Sequence, residues 1–221
     1  MITVMIDIGH YKNDSGAVYN GLREVEFNIK IANLLVTHLE KSGVKVLIST
    51  GTLQERVDLE HKYKPDYFVS LHTNSGGGDG TEVLVYKKEG IQLKIAESII
   101  NQIVSNKVNN SRGVKERPDL FVLRKTYAPA VLVEFAFIDT KDIECIDTDL
   151  EQDLMAKCIA KGLLEAIGLT YVETQPNDTT KKTLYRVCTG SYADRNNALR
   201  EVDRLSEKGV KAFIHICEEG K

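Results

Sequence analysis

The chain predicts an α/β fold: a mixed, mostly parallel twisted sheet with helices on both faces, followed by a small C-terminal βαβ module. Three observations carry this expectation. Short apolar runs alternate with stretches whose apolar residues recur at helical spacing over most of the first 168 residues. Two of the runs, "DYFVSLHTN" and "PAVLVEFAFID", are apolar on both alternating faces, as strands covered on both sides are. A stretch poor in apolar residues, Val172 to Thr183, then precedes one more strand, helix, strand pattern.

Ile2, Val4, Ile6 and Ile8 give the first strand, and a loop from Tyr11 to Gly21 leads into a helix with Phe27, Ile31, Leu34, Leu35 and Leu39 along one stripe. Gly43 ends that helix. "VKVLIS" is a second short strand, after which Thr52 and Glu55 form a capping-box signature for the helix "LQERVDLEHKY", stopped by Pro65. "DYFVSLHTN" reads as a central strand that turns polar at His72. "SGGGDG" is a flexible loop without the Lys-Ser/Thr of a phosphate-binding loop, "TEVLVY" reads as a more exposed alternating strand, and Ile91 to Val104 is helical. "SRGVKERPD" reads as a polar loop before the apolar segment "LFVLR". "PAVLVEFAFID" is the second central strand, and "DLEQDLMAKCIAKGLLEAIG" is the last helix of the domain, ending at Gly168. The domain plan is therefore a main α/β domain over 1–171, a linker over 172–183 and a small module over 184–221.

Composition excludes several partner classes. With 29 Lys and Arg against 32 Asp and Glu, the formal charge of −3 gives no electrostatic reason to expect nucleic acid or an anionic membrane. No apolar run is long enough to span a bilayer. The N-terminus lacks the basic region and apolar run of a signal peptide, so synthesis in the cytoplasm without a cleaved signal is expected. Cys145, Cys158, Cys188 and Cys217 show no CxxC pair and read as free thiols.

The chemistry gathers at strand ends and helix starts, where open α/β sheets keep their sites. His10 follows the first strand, Glu24 opens the first helix, and His72 stands at the end of the central strand. Two imidazoles and a carboxylate make a three-ligand set for a catalytic zinc with its fourth position open. Each residue also has a simpler reading: a capping or packing histidine, or a first-turn carboxylate complementing the helix dipole. Glu134 is the one charge inside "AVLVEFAF" and is costly to bury ionised without a partner. A nearby metal or its water would meet that cost, as would an ion pair with a lysine or arginine.

The three segments "IDIGHYKNDSGAVYNGLREVEFN", "FVSLHTN" and "PAVLVEFAFI", in this order, closely resemble the zinc-dependent N-acetylmuramoyl-L-alanine amidases of bacterial walls and phage endolysins, over about Ile2 to Gly168. The resemblance implies one zinc ion held by His10, Glu24 and His72, with Glu134 catalytic. It implies peptidoglycan as substrate, cut between N-acetylmuramic acid and L-alanine, in phage lysis or mother-cell lysis after release to the wall. A non-catalytic peptidoglycan-binding protein and a zinc hydrolase of another amide are the alternatives. Arg112, Lys115 and Arg117, with Asn74 of "SLHTN", are candidate contacts to the stem peptide, against a reading of the basic cluster as a solvated loop. His38, His61 and His215 read as structural or solvent-facing, and Arg56 as a support of the sheet.

The tail "YRVCTGSYADRNNALREVDRLSEKGVKAFI" resembles the first half of a SPOR domain, a module that binds peptidoglycan glycan strands. A half-sheet leaves an open edge, so the tail is expected either to form a homodimer or to act as a shortened wall-binding module.

Overall fold

The computed structural model describes residues 1–11 and 14–173, together with the helical positions 197, 200, 201, 204 and 205. The chain divides into two compact units, Met1–Gln175 and Pro176–Lys221. Most of the predicted linker and most of the SPOR-like module, on which the expected dimer falls, lie outside the described residues, as do Cys188, Cys217 and His215.

The first unit contains β1 (Thr3–Ile8), β2 (Val18–Tyr19), β3 (Leu22–Arg23), α1 (Glu24–Lys41), β4 (Lys45–Ser49), α2 (Leu53–Tyr63), β5 (Tyr67–Asn74) and β6 (Thr81–Val85). It continues with α3 (Gly90–Ser105), β7 (Ser111–Glu116), α4 (Phe121–Lys125), β8 (Ala130–Phe137), a 3-10 turn (Lys141–Ile146) and α5 (Asp149–Ala166). Six strands form one sheet in the order β4-β1-β5-β8-β6-β7, in which only the β6–β8 pairing is antiparallel. The mixed, mostly parallel sheet is the one expected.

Strand alternation sorts the core into two faces. Val4, Ile6, Val69, Leu71, Val83, Val131 and Val133 pack against α1, α3 and α5. Met5, Phe68, Leu84, Ala130 and Leu132 form a smaller cluster with Val122 and Leu123 of α4. On this second face the strands are apolar in one half and polar in the other. His72 follows Phe68 and Ser70 along β5, Glu134 follows Leu132 along β8, and Glu82 precedes Leu84 on β6. The antiparallel direction of β6 brings its first residues to the end of the sheet where β5 and β8 finish.

Two local features hold this end in place. Arg56 of α2, only 4% exposed, donates Nη1 to Asp7 Oδ1 at 2.6 Å and to the Ile8 carbonyl, and Nε to the Gly51 carbonyl at 2.8 Å. Ser70 Oγ donates to the other Asp7 oxygen at 2.7 Å. Arg56 thus ties down the last turn of β1 before His10, in line with its expected support of the sheet. The capping box at Thr52 and Glu55 is formed as expected, and a second one at Thr148 and Glu151 starts α5.

Three expectations are corrected. "SRGVKE" is not a loop but β7, an edge strand parallel to β6; its polar side chains face solvent and β6, so no apolar alternation marks it. β6 is not exposed: all five of its residues are buried because β7 and β8 flank it and α3 packs on one face. The loop before α1 contains the β2–β3 hairpin, whose turn residues Asn20 and Gly21 have φ of 48° and 82°, the left-handed pair of a two-residue hairpin turn.

Candidate metal centre and catalytic cleft

Glu24 is the first residue of α1 and stands between the two histidines. Its Oε1 lies 2.9 Å from His72 Nδ1 and its Oε2 lies 3.3 Å from His10 Nε2. One donor atom from each of the three residues falls within 4.8 Å of the other two, the one such group among the described residues. The His10 and His72 rings meet edge to face with centroids 5.1 Å apart. Two imidazole nitrogens and a carboxylate are the donor set of a catalytic divalent-cation site, and the residues present fit such an ion.

The surroundings fix these three side chains. Asp14 Oδ2 sits 2.8 Å from His10 Nδ1, which leaves Nε2 to face the centre. Ala17 N donates to Glu24 Oε2 at 2.9 Å and Thr73 N to Oε1 at 3.1 Å. Asn28, fully buried one turn along α1, donates Nδ2 to the Gly9 carbonyl at 2.9 Å and reaches Glu24 Oε1 at 3.4 Å, while its Oδ1 accepts from Thr73 Oγ1 at 3.1 Å. Partners of this kind orient ligands and sharpen a metal site. His10 adopts φ 59°, a left-handed conformation uncommon for a residue other than glycine. A Cβ at Gly9 would come within 2.5 Å of the His72 ring and the Leu71 carbonyl, so only glycine fits under His72.

Without a cation, the three groups polarise one another. The hydrogen bond that His10 donates to Glu24, reinforced by Asp14 and opposed by burial, raises His10 to about 9. Burial disfavours ionised Glu24, yet its hydrogen bonds with His10 and His72 outweigh burial and hold the carboxyl far below the usual carboxylate range. The negative charge thus stays in place for a cation.

Glu134 lies beside His72 in the β5–β8 register and opposite Glu82 in the β6–β8 register. The β5–β8 register shifts between His72 and Asn74, an irregularity of the kind that re-aims side chains at a strand end. Glu134 Oε2 is buried and has no hydrogen-bond partner. Burial raises its pKa to about 7, against the pull of His72 and with the push of Glu24 and Glu82. The ion pair with a lysine or arginine that would explain a buried carboxylate is therefore absent among the described residues.

The other predicted contacts divide. Arg112 Nε donates to Glu82 Oε2 at 2.8 Å, and Lys115 Nζ pairs with the same oxygen. Asn74 Nδ2 donates to Glu82 Oε1 at 3.2 Å, so its amide supports this cluster. Arg117 instead pairs with Asp119 at 2.8 Å. Sequence reasoning missed Asp14, Asn28, Thr73 and Glu82; the signal for Glu82 was a carboxylate within an otherwise apolar strand. His38 is buried between Asp153 and Tyr171, and His61 lies on Tyr127, both structural.

A sheet end carrying two histidines and a carboxylate that could hold a cation, with a second, unpartnered carboxylate beside them, is the arrangement a hydrolase would need. Residues 4–165 match the family described as N-acetylmuramoyl-L-alanine amidase (Amidase_3), and the chain belongs to that family. It is 32% identical over 222 residues to the sporulation-specific N-acetylmuramoyl-L-alanine amidase of Bacillus subtilis (strain 168), covering 97% of this chain and 84% of that protein. An endolysin of Bacillus phage SPP1 is 34% identical over 178 residues, 75% of this chain and 64% of that protein. The N-acetylmuramoyl-L-alanine amidase AmiC2 of Nostoc punctiforme has the same fold, with a TM-score of 0.70 and 30% identity over 76% of this chain and 97% of that one. The chain is thus a hydrolase of the muramoyl-alanine amide in peptidoglycan, from a family that is generally zinc-dependent.

Proposed function

We propose that the chain cleaves its amide with a single zinc ion held by His10, Glu24 and His72, and with Glu134 as general base and acid. The observation that supports this most is the buried, unpartnered Glu134 oxygen one strand from His72. When bound, zinc supplies Lewis acidity toward a carbonyl oxygen and makes a water more acidic.

The protein's own residues manage geometry and protons. Asp14 and Asn28 keep His10 and Glu24 aimed at one point, so little reorganisation accompanies substrate binding. Glu134 accepts the proton of the water that attacks the carbonyl carbon. As the carbon–nitrogen bond breaks, Glu134 returns that proton to the leaving amine of L-alanine. A pKa raised by burial suits both halves of this task, since the best general base titrates near the operating pH.

For the biological role we favour wall hydrolysis in a spore former over phage lysis. The alignment with the sporulation-specific amidase covers 97% of this chain and so takes in residues beyond the catalytic domain, whereas that with the phage endolysin covers 75%. The test of the bond is release of new N-terminal alanine from purified peptidoglycan by the zinc-loaded enzyme. Release of free amino sugars, or of other N-termini without alanine, would contradict the assignment.

A further inference from the structure

We infer that Glu82, Arg112 and Lys115 form a built subsite for a carboxylate of the leaving peptide, with Arg112 and Lys115 as the contacts and Glu82 as the residue that positions them. This deepens the proposed amidase function and rests on it.

The cluster lies on the catalytic face. Glu82 is directly opposite Glu134 across the β6–β8 pair and is 7% exposed. Its oxygens take Arg112 Nε and Lys115 Nζ from the edge strand β7 and Asn74 Nδ2 from β5. The Arg112 guanidinium also lies over the Phe137 ring, 4.9 Å from its centroid. The side chain is held from two directions through Nε and its flat face, which leaves the paired terminal nitrogens available. Arg112 and Lys115 remain 36% and 41% exposed, so both can reach a ligand.

The charge count decides the ligand class. Two cations share one carboxylate, which leaves one net positive charge beside Glu134. A guanidinium with free terminal nitrogens suits a planar carboxylate. Distance then places that carboxylate along the substrate. Strands are spaced about 4.8 Å apart, so the cationic groups lie about 5 to 10 Å from the catalytic carboxylate. An extended peptide advances about 3.5 Å per residue, so the recognised group sits on the second or third residue from the cut. Arg117 is outside the subsite because Asp119 occupies it.

The test compares two zinc-loaded reactions on muramoyl peptides identical except that the second residue's α-carboxylate is free in one and amidated in the other. Wild type should prefer the free acid by about tenfold in kcat/KM, the scale of one partly exposed charged hydrogen-bonded pair. Arg112→Gln and Lys115→Gln should each bring the ratio toward one, mainly through KM. Loss of the same factor on both peptides would show a structural role and overturn the subsite. Glu82→Gln separates positioning from charge. It adds a net positive charge, so a purely electrostatic subsite would show a larger ratio, whereas a positioned one shows a smaller ratio. A wild type that cleaves both peptides equally well refutes the subsite alone, while one that cleaves neither refutes the amidase reading on which it rests.

Discussion

Replacing Glu134 by glutamine should make the metal-free protein less sensitive to alkaline pH, although it removes the catalytic group. The ordinary glutamate value of 4.5 is carried to about 7 by burial beside two other carboxylates. At about 1.4 kcal/mol per pH unit, the folded state loses about 3 kcal/mol on ionising this group. The folded pKa is above the unfolded one. Glu134 therefore contributes its full stability below about pH 4.5, and that contribution is lost as pH rises through about 7. Glutamine keeps the shape and does not titrate. Any constant cost of burying its amide shifts the whole curve without changing its slope. Urea unfolding of chelator-treated wild type and Glu134→Gln, measured from pH 4.5 to 8, should give a stability difference that grows by about 3 kcal/mol in favour of the variant. Zinc should flatten the difference, because a cation nearby favours the carboxylate. Parallel curves for the metal-free proteins would mean that Glu134 is well solvated and that the argument from its buried oxygen is wrong.

Other consequences follow from the supporting residues. Asn28→Ala leaves the Gly9 carbonyl and the Thr73 hydroxyl without their buried partner; it should cost about 2 to 3 kcal/mol in thermal or urea unfolding and about tenfold in zinc affinity by chelator competition. Gly9→Ala forces a Cβ to within 2.5 Å of the His72 ring and the Leu71 carbonyl. It should abolish stoichiometric zinc binding at micromolar concentration, and tight binding by a folded variant would contradict the packing described. Because zinc needs neutral His10, and Glu24 with Asp14 holds the metal-free group at about 9, zinc affinity should fall about tenfold per pH unit below that value. Calorimetric titrations at pH 9 and pH 7 should differ by about fiftyfold, and a pH-independent affinity would refute the coupling.

Legibility in the sequence followed the strength of the local signal. β1, β5 and β8 were readable because strands covered on both faces are continuous apolar runs, and His10, His72 and Glu134 stood out as polar breaks in those runs or at their ends. Glu24 was legible as the first residue of an amphipathic helix. β7 was not, since an edge strand needs no apolar face and Ser111 to Glu116 has almost none. β6 was misjudged because Thr81 and Glu82 look like outward-facing polar residues. They are buried because Thr81 Oγ1 donates to the Phe135 carbonyl and Glu82 takes cations from β7, partners that sequence spacing does not reveal. Asn28 and Thr73 escaped notice for the same reason: their role is to join Gly9, Glu24 and each other across 45 residues of chain.

The most direct test of the mechanism measures bound zinc and alanine release on the same preparations of wild type, Glu134→Gln and His72→Ala. One zinc per chain in wild type and Glu134→Gln, with release in Glu134→Gln lower by a factor of about a hundred or more, and loss of both zinc and release in His72→Ala, is the predicted result. Near-wild-type release by zinc-loaded Glu134→Gln would contradict the assignment of the proton-transfer role.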